Sequence, residues 1–274
     1  MSLLSNHLHL LQKYDQAGPR YTSYPTAPYF HEKVKEAEYL KLLEMESTQT
    51  TPFSLYVHIP FCDTLCYFCG CNMMVTQNRE KISTYLNYLK KELTLSKNKL
   101  NPKRPLKQLH WGGGSPTHLQ PDQIRQLGGW ILEAFPLSPD PEMSIEIDPR
   151  ELTRDHLVAL REVGFKRCSI GIQDFNPKVQ KAINRVQSKK ITQQVVEWAR
   201  ELGFESLNLD LMYGLPHQTQ NSFQKTLEEV LHLKPDRLAV SNYAHLPQLI
   251  KQQKMIQEEW LPSPDTKIQL LQYS

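Results

Sequence analysis

The sequence predicts an α/β protein: a partial (β/α)6 barrel over residues 51–274, preceded by an N-terminal arm over residues 1–50. Three observations predict it. After residue 50, strand-like and helix-like segments alternate at the spacing of parallel βαβ units. Several strand candidates alternate apolar residues with polar or small ones, whereas the strands of a doubly wound sheet, covered on both faces, read as unbroken apolar runs. The candidates number six, short of the eight that close a full barrel. One face of such strands packs on helices and the other faces the barrel interior. A filled interior needs Val, Ile and Leu. This one is polar, so it is expected to be open and to hold a polar ligand.

The arm contains GPRYTSYPTAPYF, residues 18–30, rich in proline and tyrosine, and then a helical pattern over 34–45. The strands are expected at SLYVHIPF (54–61), QLHWGG (108–113), SIEID (144–148), RCSIGIQ (167–173), SLNLDLMY (206–213) and RLAVSNYA (237–244). Helical patterns fall between them at 81–97, 122–134, 154–163, 189–202 and 222–233, and another begins near residue 263. The alternation is clearest in SIEID, where Ser144, Glu146 and Asp148 oppose Ile145 and Ile147, and in SLNLDLM, where Ser206, Asn208 and Asp210 oppose Leu207, Leu209 and Leu211. In RCSIGIQ, Ser169, Gly171 and Gln173 oppose Cys168, Ile170 and Ile172. Glu146, Gln173 and Asp210 therefore point inward, and three polar groups around one cavity favour ligand binding over internal hydrogen bonding alone.

Composition excludes some function classes. Of 274 residues, 39% are hydrophobic and 22% charged, the profile of a globular chain. The formal charge of +3 is small and spread out, which does not point to nucleic acid. No apolar run is long enough to cross a bilayer, and the start, MSLLSNHLHLLQKYD, lacks the pattern of a signal peptide. A cytoplasmic, reducing setting is expected, and cysteines there more often bind metal than pair as disulfides.

Four of the five cysteines fall in CDTLCYFCGC, residues 62–71, spaced Cys62-x3-Cys66-x2-Cys69-x-Cys71. Structural zinc usually takes a second cysteine pair further along the chain, and Cys168 stands alone. A redox dithiol at Cys66 and Cys69 leaves the other thiols unexplained and lacks a following helix signal. Iron–sulfur ligation by thiolates fits better than either. Cys71, two residues beyond Cys69 in what reads as an extended stretch, is expected to point away from it.

The spacing C-x3-C-x2-C just after a first strand resembles the radical S-adenosylmethionine (SAM) superfamily. The order RYTSYPTA, YVHIPFC-x3-CYFCGCN, QLHWGGGSPT, SIEIDPRE, GIQDFN, AINRVQ, NLDLMYGLP and SNYAHLP, from about residue 18 onward, resembles the oxygen-independent coproporphyrinogen III oxidase (dehydrogenase) family. The resemblance implies a radical SAM barrel in which Cys62, Cys66 and Cys69 ligate a [4Fe–4S] cluster whose fourth iron binds SAM. It implies two SAM molecules per chain. Tyr56 and Glu146 would serve the first, with the glycine-rich loop Gly112, Gly113 and Gly114 on its methionine part. Gln173, Arg185 and Asp210 would serve the second, with Phe68, Gly114, Ser115 and the backbone of Ala244. The family usually has threonine where Ser115 stands, and the hydroxyl is kept. Arg20, Tyr21, Thr22, Tyr24 and Pro25 in the arm become candidates for covering the tetrapyrrole substrate, and Cys71 reads equally as a small buried residue or as one near that substrate. His58, His110 and His245 fall within the motifs and carry no assigned role.

The activity so implied is anaerobic oxidative decarboxylation of two propionates of coproporphyrinogen III to vinyls, giving protoporphyrinogen IX, by a 5′-deoxyadenosyl radical made from SAM. A flavodoxin or ferredoxin-type reductant, a monomer, and no nucleic-acid or membrane partner are expected with it. A radical SAM-related haem chaperone is the alternative. It usually lacks the RYTSYPTA arm and the fourth cysteine, and both are present here. A structural-zinc module is the other alternative. The family's chains are longer, and this sequence stops at LLQYS inside a helical pattern, so the family's C-terminal closing domain is expected to be absent.

Overall fold

A computed structural model describes Lys13 and residues 24–274. Six parallel strands form one sheet: β1 (Phe53–Ile59), β4 (Leu106–Gly113), β5 (Leu137–Ile147), β6 (Arg167–Gln173), β7 (Ser206–Tyr213) and β8 (Arg237–Asn242), in that spatial order. Sequential neighbours pair throughout, and β1 and β8 remain the edges, as in an open (β/α)6 barrel. The helices that return the chain are α2 (Arg79–Lys99), α3 (Pro121–Ala134), α4 (Arg154–Val163), the short α5 (Pro177–Ala182), α6 (Lys189–Glu201), α7 (Gln220–His232) and α8 (Pro264–Tyr273). In the arm, α1 (Glu36–Met45) buries no residue. Ion pairs from Glu44 to Lys99 and from Glu46 to Arg104 link it and its end to the barrel.

The boundaries follow local chemistry. Asn78, Asn176, Ser188, Thr219 and Ser263 cap α2, α5, α6, α7 and α8 by accepting hydrogen bonds from backbone N–H groups of the first turn. Gly164 ends α4 in the left-handed conformation, where a Cβ would be strained. Strands β6 and β7 match the expected ranges, and β5 begins seven residues before SIEID. Two elements are too short to show a period in the sequence: α5, and a ribbon pairing β2 (Phe61–Cys62) with β3 (Met74–Val75).

The alternation places the core. Ile145, Ile170, Leu207 and Leu209 have no exposed surface. They pack in one cluster with Ile124, Leu127, Leu157, Val195 and Phe223 from α3, α4, α6 and α7. The opposite face carries the polar positions. A smaller cluster of Val179, Ile183, Leu215, Tyr243 and Ile256 lies at one end, with Tyr67 and Phe68 packed against it. It therefore holds the cysteine segment.

Candidate functional site

The segment after β1 folds into a turn that gathers its sulfurs. The Cys69 N–H donates to the Cys66 carbonyl at 3.2 Å, closing a turn over Tyr67 and Phe68. The turn is fastened from outside: Tyr67 N–H donates to Ile183 O at 2.9 Å, Asn184 Nδ2 to Leu65 O at 2.8 Å, and Gln253 Nε2 to both Phe68 O and Ala244 O at 3.1 Å. Cys62, Cys66, Cys69 and Cys71 all line one cleft over the carboxyl ends of the strands, and none is in a disulfide. Cys71 therefore does not point away from Cys69, contrary to the expectation. The chain bends at residues 71–72 and is not extended there, and the Cys71 N–H donates to Cys69 Sγ at 3.4 Å.

Electrostatics set the sulfurs apart. Burial and the nearby Cys69 and Cys66 push the Cys62 thiol up to about 12. The hydrogen bond with Cys71, and then burial, raise Cys69. Cys66, which is 6% exposed, receives Arg150 Nη2 at 3.6 Å and Arg185 Nη1 at 3.7 Å on its sulfur. Both guanidiniums are tied to Asp148, through Arg150 Nη2 at 2.6 Å and Arg185 Nη1 at 3.1 Å from Oδ2. Burial alone would raise Asp148, but the charge of Arg185 and the bonds from Arg150 overcome it and hold the carboxyl down at about 2.

The glycine loop brings backbone against the sulfurs. A Cβ on Gly114 would lie 2.8 Å from Cys62 Sγ and 2.9 Å from Phe61 O, so no other residue fits without a shift. Gly113 has φ +128, and its N–H donates to Glu146 Oε2 at 3.2 Å. Glu146 Oε1 is 3.5 Å from His110 Nε2, the His110 ring stacks on Tyr56 at 5.8 Å between centroids, and the Tyr56 hydroxyl is 3.0 Å from His58 Nδ1. On β6 and β7, Asp210 accepts from Ser169 Oγ at 2.7 Å and from Asn208 Nδ2 at 2.6 Å. Burial pushes the Asp210 carboxyl above the usual range. Gln173 sits at φ +71, where the β6–β7 register shifts, and this turns the end of the strand into the cleft. Arg185, 6% exposed, donates from Nη2 to Gly171 O at 2.9 Å, and its buried Nε has no partner.

Of the residues singled out in the sequence, Cys62, Cys66, Cys69, Cys71, Phe68, Gly113, Gly114, Ser115, Glu146, Gln173, Arg185 and Asp210 line this one cleft. Tyr56 is not among the cleft-lining residues, though its hydroxyl and the Glu146 carboxyl both lie about 3 Å from where a Cβ on Gly112 would stand. Ala244 is tied to the cysteine turn through Gln253, which bonds to both. Tyr24 is 96% exposed and is not among the cleft residues. Arg20, Tyr21 and Thr22 lie outside the described residues. Among the charged residues of the cleft, two had no role assigned from the sequence: Asp148, although it continues the inward series Ser144, Glu146, Asp148, and Arg150, which follows the strand where the alternation has ended.

The donor set fits an iron–sulfur cluster. The sulfurs of Cys62, Cys66 and Cys69 are unpaired and line one space, burial and neighbouring thiols raise Cys62 and Cys69, and glycine backbone leaves room beside Cys62. The partnerless Arg185 Nε is a polar atom awaiting a ligand within the same cleft.

The sequence matches the radical SAM superfamily over residues 56–230. It is 49% identical over 265 residues to the oxygen-independent coproporphyrinogen III oxidase of Escherichia coli (strain K12), covering 97% of this chain and 57% of that protein. It is 44% identical over 263 residues to the protein of the same name from Synechocystis sp., covering 96% and 56%. A solved structure described as coproporphyrinogen III oxidase (HemN) from Escherichia coli, a radical SAM enzyme, superposes with a TM-score of 0.89 at 46% identity, over 96% of this chain and 59% of that one. An Elp3 from the archaeon Methanocaldococcus infernus, at a TM-score of 0.52 and 14% identity, is similar in fold alone. The chain thus spans 56–59% of the length of these coproporphyrinogen III oxidases.

Proposed function

The chain belongs to the radical SAM superfamily, and on that premise we propose that it carries the catalytic core of an oxygen-independent coproporphyrinogen III oxidase. The reaction converts two propionates of coproporphyrinogen III to vinyls. Each propionate loses its carboxyl as CO2 together with a hydrogen atom from the β-carbon, carried off in 5′-deoxyadenosine, and one further electron, passed to a one-electron acceptor. Cys62, Cys66 and Cys69 would hold the [4Fe–4S] cluster, which, once reduced by a flavodoxin or ferredoxin-type donor, supplies the electron that cleaves SAM.

The remaining roles belong to this chain's own groups. Glu146, with one oxygen toward His110, would accept hydrogen bonds from ribose hydroxyls of a first SAM. The Gly113–Gly114 backbone approaches closely enough to bind the amino-acid part. A second SAM would lie against Gln173, Asp210, Ser115 and Phe68. There Arg185 would offer its free Nε–H to a carboxylate. Tyr24, Arg20, Tyr21 and Cys71 remain the candidates for the substrate side. Cys71 donates its backbone N–H to Cys69, one of the proposed cluster ligands.

One observation carries the reading: the three spaced cysteines and four inward polar side chains, Glu146, Gln173, Arg185 and Asp210, converge on a single cleft. The test is anaerobic incubation of the iron–sulfur-loaded protein with SAM, dithionite and coproporphyrinogen III, followed by chromatography. Protoporphyrin after oxidation of the products, with 5′-deoxyadenosine formed alongside, is expected. SAM cleavage that never yields a vinyl product would contradict the substrate assignment.

A further inference from the structure

Cys66 differs from the other two proposed ligands in what surrounds its sulfur. Two guanidinium groups donate to it, Arg150 Nη2 at 3.6 Å and Arg185 Nη1 at 3.7 Å. Among the described residues, neither Cys62 nor Cys69 receives a guanidinium N–H on its sulfur. Arg185 already has a role on the ligand side of the cleft. Arg150 has none, yet it is the more firmly held of the two. Its Nε and Nη2 grip Asp148 in a fork, with 3.0 Å from Nε to Oδ1 and 2.6 Å from Nη2 to Oδ2, while its own backbone N–H donates to Oδ1 at 3.1 Å. The same Nη2 reaches Cys66, so the carboxylate fixes the direction in which that N–H points.

Charge completes the picture. Two arginines share one carboxylate, and Arg185 and Cys66 are each 6% exposed. Asp148 faces both guanidiniums, and Cys66 Sγ receives an N–H from each. Reduction of a bound cluster adds a further negative charge to the same place. An N–H donor on a ligand sulfur stabilises the reduced form more than the oxidised form and so raises the potential.

We propose that Arg150, oriented by Asp148, is a positioning residue that sets the reduction potential of the cluster through its N–H on Cys66 Sγ. The inference rests on the cluster assignment made above for Cys62, Cys66 and Cys69.

The test compares wild type with Arg150→Met and Arg150→Lys, each reconstituted anaerobically with iron and sulfide. Iron content, circular dichroism and a spectroscopic redox titration are read for each. Arg150→Met removes both donor and charge. It is expected to keep its iron and to be harder to reduce by about tenfold in the reduction equilibrium, a fall of ~59 mV for a one-electron couple. Arg150→Lys keeps the charge but loses the fork, and is expected to fall between the two. If Arg150→Met does not load, the lysine variant decides, and a potential below wild type supports the role. Equal potentials in iron-loaded variants and wild type would overturn it. Folded variants that all fail to load iron would also overturn it, making Arg150 a structural prop. A wild-type protein that takes up no iron would instead overturn the cluster assignment, so the two failures are distinguishable.

Discussion

The two faces of the six-stranded sheet are built from the same strands, one residue apart, and they do opposite things. On the outer face of β5, β6 and β7, Ile145, Ile170, Leu207 and Leu209 are fully buried against helices. On the inner face of the same strands, Glu146, Ser169 and Asp210 border the cleft. The outer face stores stability, because each buried aliphatic side chain removes apolar surface from water. The inner face spends stability: a buried carboxyl such as Asp210 sits there at a cost to its charged form. Period-two geometry lets one strand serve both ends without compromise, and it makes the faces separable by mutation.

The sharpest separation is expected at the sulfurs. Alanine at any one of Cys62, Cys66 or Cys69 should abolish iron retention and 5′-deoxyadenosine formation, while the outer-face core keeps the protein folded; iron analysis and thermal melting check both halves. Next comes the neighbouring pair on β7. Leu209→Ala should cost about 2–5 kcal/mol in denaturant unfolding. Asp210→Asn, almost isosteric, should cost less than about 1.5 kcal/mol and instead weaken SAM binding by roughly 10- to 100-fold, the worth of a charged hydrogen bond. Similar stability losses from the two would break the division of labour. Gly114→Ala probes the boundary between the faces. Its Cβ has no room beside Cys62 Sγ and Phe61 O, so about 1–3 kcal/mol of overpacking strain is expected, with lowered iron occupancy.

The smallest effect concerns pH, and it divides the inner face itself. Asp148 is held down at about 2 by Arg185 and Arg150 against its burial. Its folded value lies below its ordinary 3.8, so its contribution is present above 3.8 and is lost as pH falls toward 2. Asp210 is raised, chiefly by burial, so its contribution is present below 3.8 and is lost as pH rises through the raised value. Urea midpoints followed from acid to neutral pH should therefore show wild type losing ground to Asp148→Asn at the acid end. Against Asp210→Asn it should lose ground toward neutrality. Curves that bend the same way would contradict the opposed environments.

Much of this was readable in the sequence, for a physical reason. Alternation in SIEID, RCSIGIQ and SLNLDLM placed Glu146, Gln173 and Asp210 inward because side chains on a strand must take opposite sides. The cysteine spacing marked Cys62, Cys66 and Cys69 as candidate ligands because all three fall in one short segment. Where the period ends, the reading failed. Arg150 follows β5, and its contact with Cys66 joins residues 84 apart in sequence, which no local pattern encodes. Cys71 was misdirected because the segment bends where an extended chain was assumed. The two-residue strands β2 and β3 are too short to display any alternation.

The most direct measurement is metal and Mössbauer analysis of the anaerobically reconstituted protein, with and without SAM. Cys62, Cys66 and Cys69 as sole protein ligands predict about four iron and four sulfide per chain. They also predict one iron whose signal differs from the other three and shifts when SAM is added. Zinc in place of iron, or a cluster whose four irons are alike and unmoved by SAM, would contradict the assignment.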